Sequence, residues 1–131
     1  MTNTQLLVAR VLLGLLFVVS GIGKLGDVAG FAGYMASGGV PAFLAWPVVL
    51  FEIIGGLALI AGFQTRIVAY ALAAFCVASG LLYHFDPSNQ MQMTQVLKNL
   101  AIAGGYVALA VTGAGALSLD AKLGAGKLRS A

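Results

Sequence analysis

Four long apolar segments constrain this chain more than any other feature of its sequence. They lie at about residues 6–25, 45–63, 67–85 and 93–112. Each is close to the ~20 residues with which an α-helix crosses about 30 Å of hydrocarbon, whereas the strands of a membrane barrel would alternate over about 10 residues. The pattern predicts an all-α polytopic membrane protein: a four-transmembrane-helix bundle that forms a single domain, residues 1–131.

The composition supports lipid as the solvent. The chain is 60% hydrophobic and only 8% charged, whereas a soluble domain carries about a quarter charged residues. Its net charge of +3 is too small to predict a nucleic-acid partner. A single cysteine, Cys76, excludes an internal disulfide and a CxxC redox pair.

The segments between the helices differ in character. Residues 26–44 are rich in glycine and predict a loop or a short interfacial helix. Only residues 64–66 separate the second and third helices, which therefore form a tight antiparallel hairpin. The tail, residues 113–131, is expected to be a flexible or surface-lying end.

Basic residues predict the orientation. Five of them share one side of the membrane with both termini: Arg10, Arg66, Lys122, Lys127 and Arg129. Only Lys24 and Lys98 fall on the other side. The positive-inside rule therefore predicts that both termini are cytoplasmic. In this interpretation Arg10 and Arg66 are cytoplasmic-side anchors.

Two equal spacings bring charged residues to one level of the membrane. Lys24 follows Arg10 by 14 residues, and Arg66 follows Glu52 by 14 residues, which is about 21 Å of helix in each case. If the arginines are level, Lys24 and Glu52 are level too, in the outer half of the bundle. His84 and Lys98 are expected near the same level, and Glu52 could pair with Lys24 or with Lys98.

Helical stripes predict which faces are packed. On the first helix the stripe is Arg10, Gly14, Phe17, Gly21 and Lys24. On the third it is Arg66, Tyr70, Ala73, Val77, Gly80 and His84, and on the fourth Lys98, Ile102, Gly105, Leu109 and Thr112.

Each charged residue also has a structural interpretation. Lys24 and Lys98 could extend to the headgroups, and His84 could be a solvated or capping residue. Glu52 is the only acid inside a span, and its side chain is too short to reach the interface. A structural ion pair and a proton-handling or ligand-binding role both remain open for Glu52.

Several motifs resemble those of the DoxX family of small bacterial membrane proteins. The first is Arg10-Val-Leu-Leu-Gly-Leu-Leu-Phe-Val-Val-Ser-Gly-Ile-Gly-Lys24. Further along are Glu52 with Gly55-Gly56, Gly62-Phe-Gln-Thr-Arg66, His84-Phe85, Lys98-Asn99 and Ser118-Leu119-Asp120. Many relatives have Gly-Pro-Gly after the fourth helix, where this chain has Gly113-Ala114-Gly115.

The resemblance implies a multi-pass protein of the bacterial inner (cytoplasmic) membrane. Some members are linked to quinone- or thiol-related redox metabolism, and many are named oxidoreductases without a demonstrated activity. Together with the spacings, it makes a polar cluster of Glu52, Lys24, His84, Lys98 and Asn99 the candidate ligand-binding site. No catalytic residue is assigned.

Two functions from different classes fit these observations. The first is a redox-associated subunit that binds a quinone or a similar lipid-soluble molecule and takes electrons from another membrane redox protein. The second is a non-catalytic accessory subunit of a larger membrane complex. One histidine and one cysteine are too few to predict a haem or metal site, and a homo-oligomer stays open. A small transporter is the weakest interpretation, because no inverted repeat is evident.

Overall fold

The computed structural model of the chain confirms an all-helical membrane protein. It describes residues 2–130, with side chains for residues 2–124, and the described residues contain no strand. Four stretches are long and apolar enough to span a membrane: Thr2–Lys24, Ala42–Ala61, Thr65–Tyr83 and Gln90–Thr112. The orientation stays a prediction, and the side chains of Lys127 and Arg129, which enter the count of basic residues, lie outside the described part.

The described residues form six α-helices in succession. They are α1 (Thr2–Lys24), α2 (Val28–Ser37), α3 (Ala45–Ala61), α4 (Thr65–Tyr83), α5 (Gln90–Thr112) and α6 (Leu119–Ser130), with a 3-10 turn at Ala42–Leu44 before α3. Helices α1 and α5 begin about one turn before the apolar segments, because polar first turns extend them: the Asn89 side chain caps α5 by accepting a hydrogen bond from Gln92 N. The connection predicted as a loop or a short interfacial helix contains helix α2, and the tail contains α6.

The alternating directions of the spanning helices give the bundle two distinct ends. The start of α1, the α3–α4 turn, the end of α5 and α6 form what we call the terminal end. The opposite end contains the end of α1, α2, the start of α3, the end of α4 and the start of α5. We call it the cavity end, after the cavity described below. Within the bundle α1 packs chiefly against α3, and α4 packs chiefly against α5.

Glycines allow α1 and α3 to approach at backbone distance. A Cβ atom built on Gly56 would lie 2.6 Å from the carbonyl oxygen of Gly14, and one on Gly14 would lie 2.6 Å from that of Gly56. A Cβ on Gly21 would lie 3.2 Å from Glu52 Cβ. Close approach through small residues is typical of helices packed in membranes, and here it places Glu52 beside the last turns of α1.

This close approach predicts that replacing a glycine by alanine destabilises the protein at the α1–α3 contact but not at an open position on a helix. Gly56→Ala should lower the free energy of unfolding by about 1–3 kcal/mol, because the new methyl group meets backbone atoms that cannot rotate away. Gly104→Ala is the matched control, since a Cβ there meets nothing within 4 Å. It should be neutral or stabilise the helix by about 0.5–1 kcal/mol. Thermal unfolding in one detergent compares the two, and equal effects would contradict the predicted contact.

The predicted stripes are confirmed on α1 and partly wrong on α4 and α5. The buried residues of α1 are Arg10, Gly14, Phe17 and Gly21. On α4 and α5, however, Arg66, Tyr70 and Lys98 are exposed. Those helices bury instead faces that include Leu72, Cys76, Ala103 and Tyr106. Apolar and small residues occur on several faces of these helices, so the sequence does not single out one face. Packing against the neighbouring helices decides how each helix is rotated about its own axis.

At the terminal end, Arg10 is buried and hydrogen-bonded within the bundle. Its side chain is 0% exposed. The guanidinium donates hydrogen bonds to Ile60 O at 2.9 Å, weakly to Leu59 O at 3.5 Å, and to Leu117 O. The first two carbonyls belong to the last turn of α3, where a helix lacks its own donors and carries partial negative charge. Arg10 thus joins α1, the end of α3 and the tail.

Asp120 fastens α6 to the start of α4. Its carboxylate accepts hydrogen bonds from Gln64 N at 2.7 Å and from Thr65 N at 2.9 Å. Burial opposes ionisation of this carboxyl, but hydrogen bonding from Thr65 and Gln64 and the charge of Arg10 outweigh burial and hold its pKa below its usual range. The ionised carboxylate therefore supplies the cap that the sequence of α4 lacks.

Candidate functional site

The charged centre of the site is an ion pair between α1 and α3. Lys24 Nζ lies 2.9 Å from Glu52 Oε2 and 3.2 Å from Oε1. The Glu52 side chain is 3% exposed and that of Lys24 is 24% exposed. Lys24 is thus the partner of Glu52, as the equal spacings allow, and Lys98 is not.

Two neighbours hold the Lys24 ammonium in place. It donates to Ser20 Oγ at 2.6 Å, one turn back on α1. It also lies 5.1 Å from the ring centroid of Phe31 on α2, within the range of a cation–π contact. Ser20 was not among the residues predicted for the site, although its four-residue spacing from Lys24 is the usual signal of a same-face pair.

A cavity of about 310 Å³ opens beside this ion pair at the cavity end. Its walls come from α1 through α5, so it lies between the α1–α3 pair and the α4–α5 pair. Its polar lining side chains are Ser20, Lys24, Tyr34, Glu52, Ser79, Tyr83, His84 and Asn99. Apolar side chains, among them Phe17 and Phe75, line much of the rest. Polar groups set among apolar walls are typical of a small-molecule site.

The cavity is bordered by residues that are exposed on the outside of the spanning helices. Its lining includes Leu16 on α1 and Leu82 on α4, which are 43% and 54% exposed. Both residues lie within spanning helices. A molecule dissolved in the bilayer could therefore enter from the side, between the two helix pairs.

Helix α2 covers the cavity at the cavity end of the bundle. Its Phe31, Tyr34 and Met35 line the cavity. Tyr83, at the end of α4, stacks on Tyr34 with ring centroids 4.8 Å apart and donates a hydrogen bond to Met35 O at 2.8 Å. These contacts hold α2 across the ends of the spanning helices.

Asn99 forms the polar wall on the α4–α5 side. Its Nδ2 donates to Cys76 O at 3.1 Å and to Ser79 Oγ at 3.3 Å. Gly80 makes room for it, since a Cβ on that glycine would lie 3.1 Å from Asn99 Cβ. The amide is thus fixed at membrane depth within the bundle.

The structure brings together four of the five predicted site residues. Glu52, Lys24, His84 and Asn99 line the cavity, and His84 Nδ1 lies 2.9 Å from Gln92 Oε1. Lys98 is exposed on α5 and does not line the cavity. Among the described residues no group of three His, Cys, Asp or Glu side chains could hold a metal ion.

The fold and the cavity define a multi-pass membrane protein with a polar site inside a four-helix bundle. The DoxX family model matches residues 5–85. The chain belongs to the DoxX family, as its motifs indicated.

Two relatives of the chain are named inner membrane proteins. The chain is 42% identical over 118 residues to "Inner membrane protein YqjF" of Escherichia coli (strain K12), covering 90% of this chain and 91% of that protein. It is 33% identical over 122 residues to "Inner membrane protein YphA" of the same organism, covering 88% and 87%. "Putative oxidoreductase CatD" of Bacillus subtilis (strain 168) is 36% identical over 67 residues, about half of each chain. No solved structure matches the chain significantly. The location predicted from the resemblance, a bacterial inner membrane, is confirmed.

Proposed function

We propose that this protein is a redox-associated membrane subunit that binds a quinone or a similar lipid-soluble molecule in the cavity between its helix pairs. The observation that carries the proposal is the Lys24–Glu52 pair, whose carboxylate is buried, in the wall of a cavity that is bordered by exposed residues of two spanning helices. Retaining two charges at membrane depth is costly and usually serves a function. The oxidoreductase in the name of one relative, matched over half of this chain, supports a redox association.

The chemistry of the site suits a molecule that exchanges protons as it changes redox state. Glu52 would accept or release a proton at the ligand oxygen, within hydrogen-bond reach in the bound state. Lys24 would stabilise negative charge on that oxygen whenever Glu52 holds the proton. Electrons would pass to or from a partner membrane redox protein, and the exposed helix faces leave room for such a partner or for a second copy of the chain.

Extraction of bound molecules tests the proposal. Protein purified in mild detergent should release a quinone that mass spectrometry detects. Ala78→Phe should remove most of it, because Ala78 lines the cavity and the larger ring would occupy the space. Ala74→Phe is the matched control: Ala74 lies one turn earlier on α4 and is exposed, but does not line the cavity.

Two results would contradict the proposal. One is wild-type protein that carries no quinone and binds none when quinone is added. The other is equal loss from the two phenylalanine variants, which would place the molecule outside the cavity. Stable co-purification of other subunits by a quinone-free protein would favour the accessory-subunit function instead.

A further inference from the structure

Some of the hydrogen-bonding groups that line the cavity already have partners within the protein, and others do not. Lys24 has three N–H donors, and the two Glu52 oxygens and Ser20 Oγ accept from it. The Asn99 amide donates to Cys76 O and Ser79 Oγ. The Tyr83 hydroxyl donates to Met35 O. The donors of Lys24, Asn99 and Tyr83 are therefore engaged within the protein. The Tyr34 hydroxyl, which also lines the cavity, makes no hydrogen bond with the described residues.

Acceptors, in contrast, remain available in the cavity. A carboxylate offers about four lone-pair sites, and within the described part of the chain Glu52 receives hydrogen bonds from Lys24 alone. Asn99 Oδ1 accepts no hydrogen bond from the described residues. Its orientation follows from Cys76 O, a pure acceptor that requires the amide nitrogen on its side. A buried carboxylate with unused lone pairs gains from a ligand that donates.

We propose that the cavity selects a dihydroxy aromatic ligand, a hydroquinone, over the corresponding oxidised quinone. One hydroxyl donates to the Glu52 carboxylate from the α3 side, and the other donates to Asn99 Oδ1 from the α5 side. An oxidised quinone carries only acceptors and meets acceptors at both positions. This inference rests on the proposed function, because it names the redox form that the same site prefers.

The size of the cavity suits this ligand class. About 310 Å³ is at the small end of ligand sites, which run from roughly 300 to 1,000 Å³. It holds one substituted ring and not an extended chain. Any isoprenoid tail would have to leave the cavity past its exposed apolar lining residues, such as Leu16 or Leu82.

Three ligands of nearly equal shape test the selection on the wild-type protein. They are tetramethyl-1,4-hydroquinone, its oxidised quinone and its dimethyl ether, titrated into detergent-purified protein without oxygen and followed by calorimetry. The hydroquinone should bind at least about tenfold more tightly than the other two, because only it donates hydrogen bonds to a charged and a neutral acceptor. The ether retains the ring and both oxygens and isolates the role of the O–H groups.

Variants of the two acceptor residues test whether they produce the preference for the hydroquinone. Asn99→Leu should weaken hydroquinone binding about tenfold and leave quinone binding nearly unchanged, and Glu52→Gln should also reduce the preference for the hydroquinone. Lys98→Met is the control, because Lys98 is exposed beside Asn99 and lies outside the cavity. Equal binding of hydroquinone and quinone, or tighter quinone binding, would overturn this inference and leave the proposed function standing. Binding of none of the three ligands would overturn both.

Discussion

Lys24→Met is expected to lower the free energy of unfolding by about 3–5 kcal/mol, the usual cost of removing one partner from a buried ion pair. The loss is large because Glu52 would lose its partner while its side chain is only 3% exposed. The reverse change, Glu52→Gln, should cost less. Lys24 is 24% exposed, so its long side chain can extend towards the headgroups once the carboxylate is gone.

The double variant Lys24→Met/Glu52→Gln separates the interaction energy of the ion pair from the effects of changing each side chain. It should be more stable than Lys24→Met alone, because neither charge is left without a partner. Chemical or thermal unfolding of all four proteins in one detergent gives the coupling energy of the pair. Lys98→Met, at an exposed lysine of the same end, should stay within about 0.5 kcal/mol of wild type. Single effects that simply add would show that the ion pair does not contribute to stability.

Arg10→Met is expected to destabilise the terminal end by a similar amount, about 3–5 kcal/mol. The side chain is fully buried, and its loss leaves the carbonyls of Ile60 and Leu117 without a donor. Hydrogen bonds to charged groups contribute about 1.5–3 kcal/mol each. Arg10→Lys should recover part of the loss, because a lysine keeps the charge but lacks the planar fork that reaches several carbonyls at once.

A local measurement distinguishes release of the tail from unfolding of the whole protein. Arg10 and Asp120 together hold the tail, so Arg10→Met should speed tryptic cleavage at Lys122, which follows Asp120 by two residues. Arg66→Met is the control, since Arg66 is an exposed arginine at the same end. It should change neither stability nor cleavage. Unchanged cleavage at Lys122 in Arg10→Met would contradict the role of Arg10 in fastening the tail.

The sequence by itself determined the class of protein and the number of spanning helices. Four apolar segments without water-facing periodicity have only one stable form in a bilayer, because every backbone group must be paired within its own helix. The level of Lys24 and Glu52 was predictable for the same reason: the rise per residue of a helix is constant. On α1 the stripe was also predictable, because glycines and one arginine mark a single face among large apolar residues.

Only the tertiary structure decided how α4 and α5 rotate and what closes each end. On these helices small and apolar residues occur on all sides, so burial alone does not select a face in lipid. Packing turned Lys98 outward, and it directed Asn99 and Cys76 inward. The burial of Arg10 depends on carbonyls 50 and 107 residues away in the chain, and the cap from Asp120 depends on a residue 55 positions after Thr65. Such contacts follow from three-dimensional packing, which local sequence patterns do not encode.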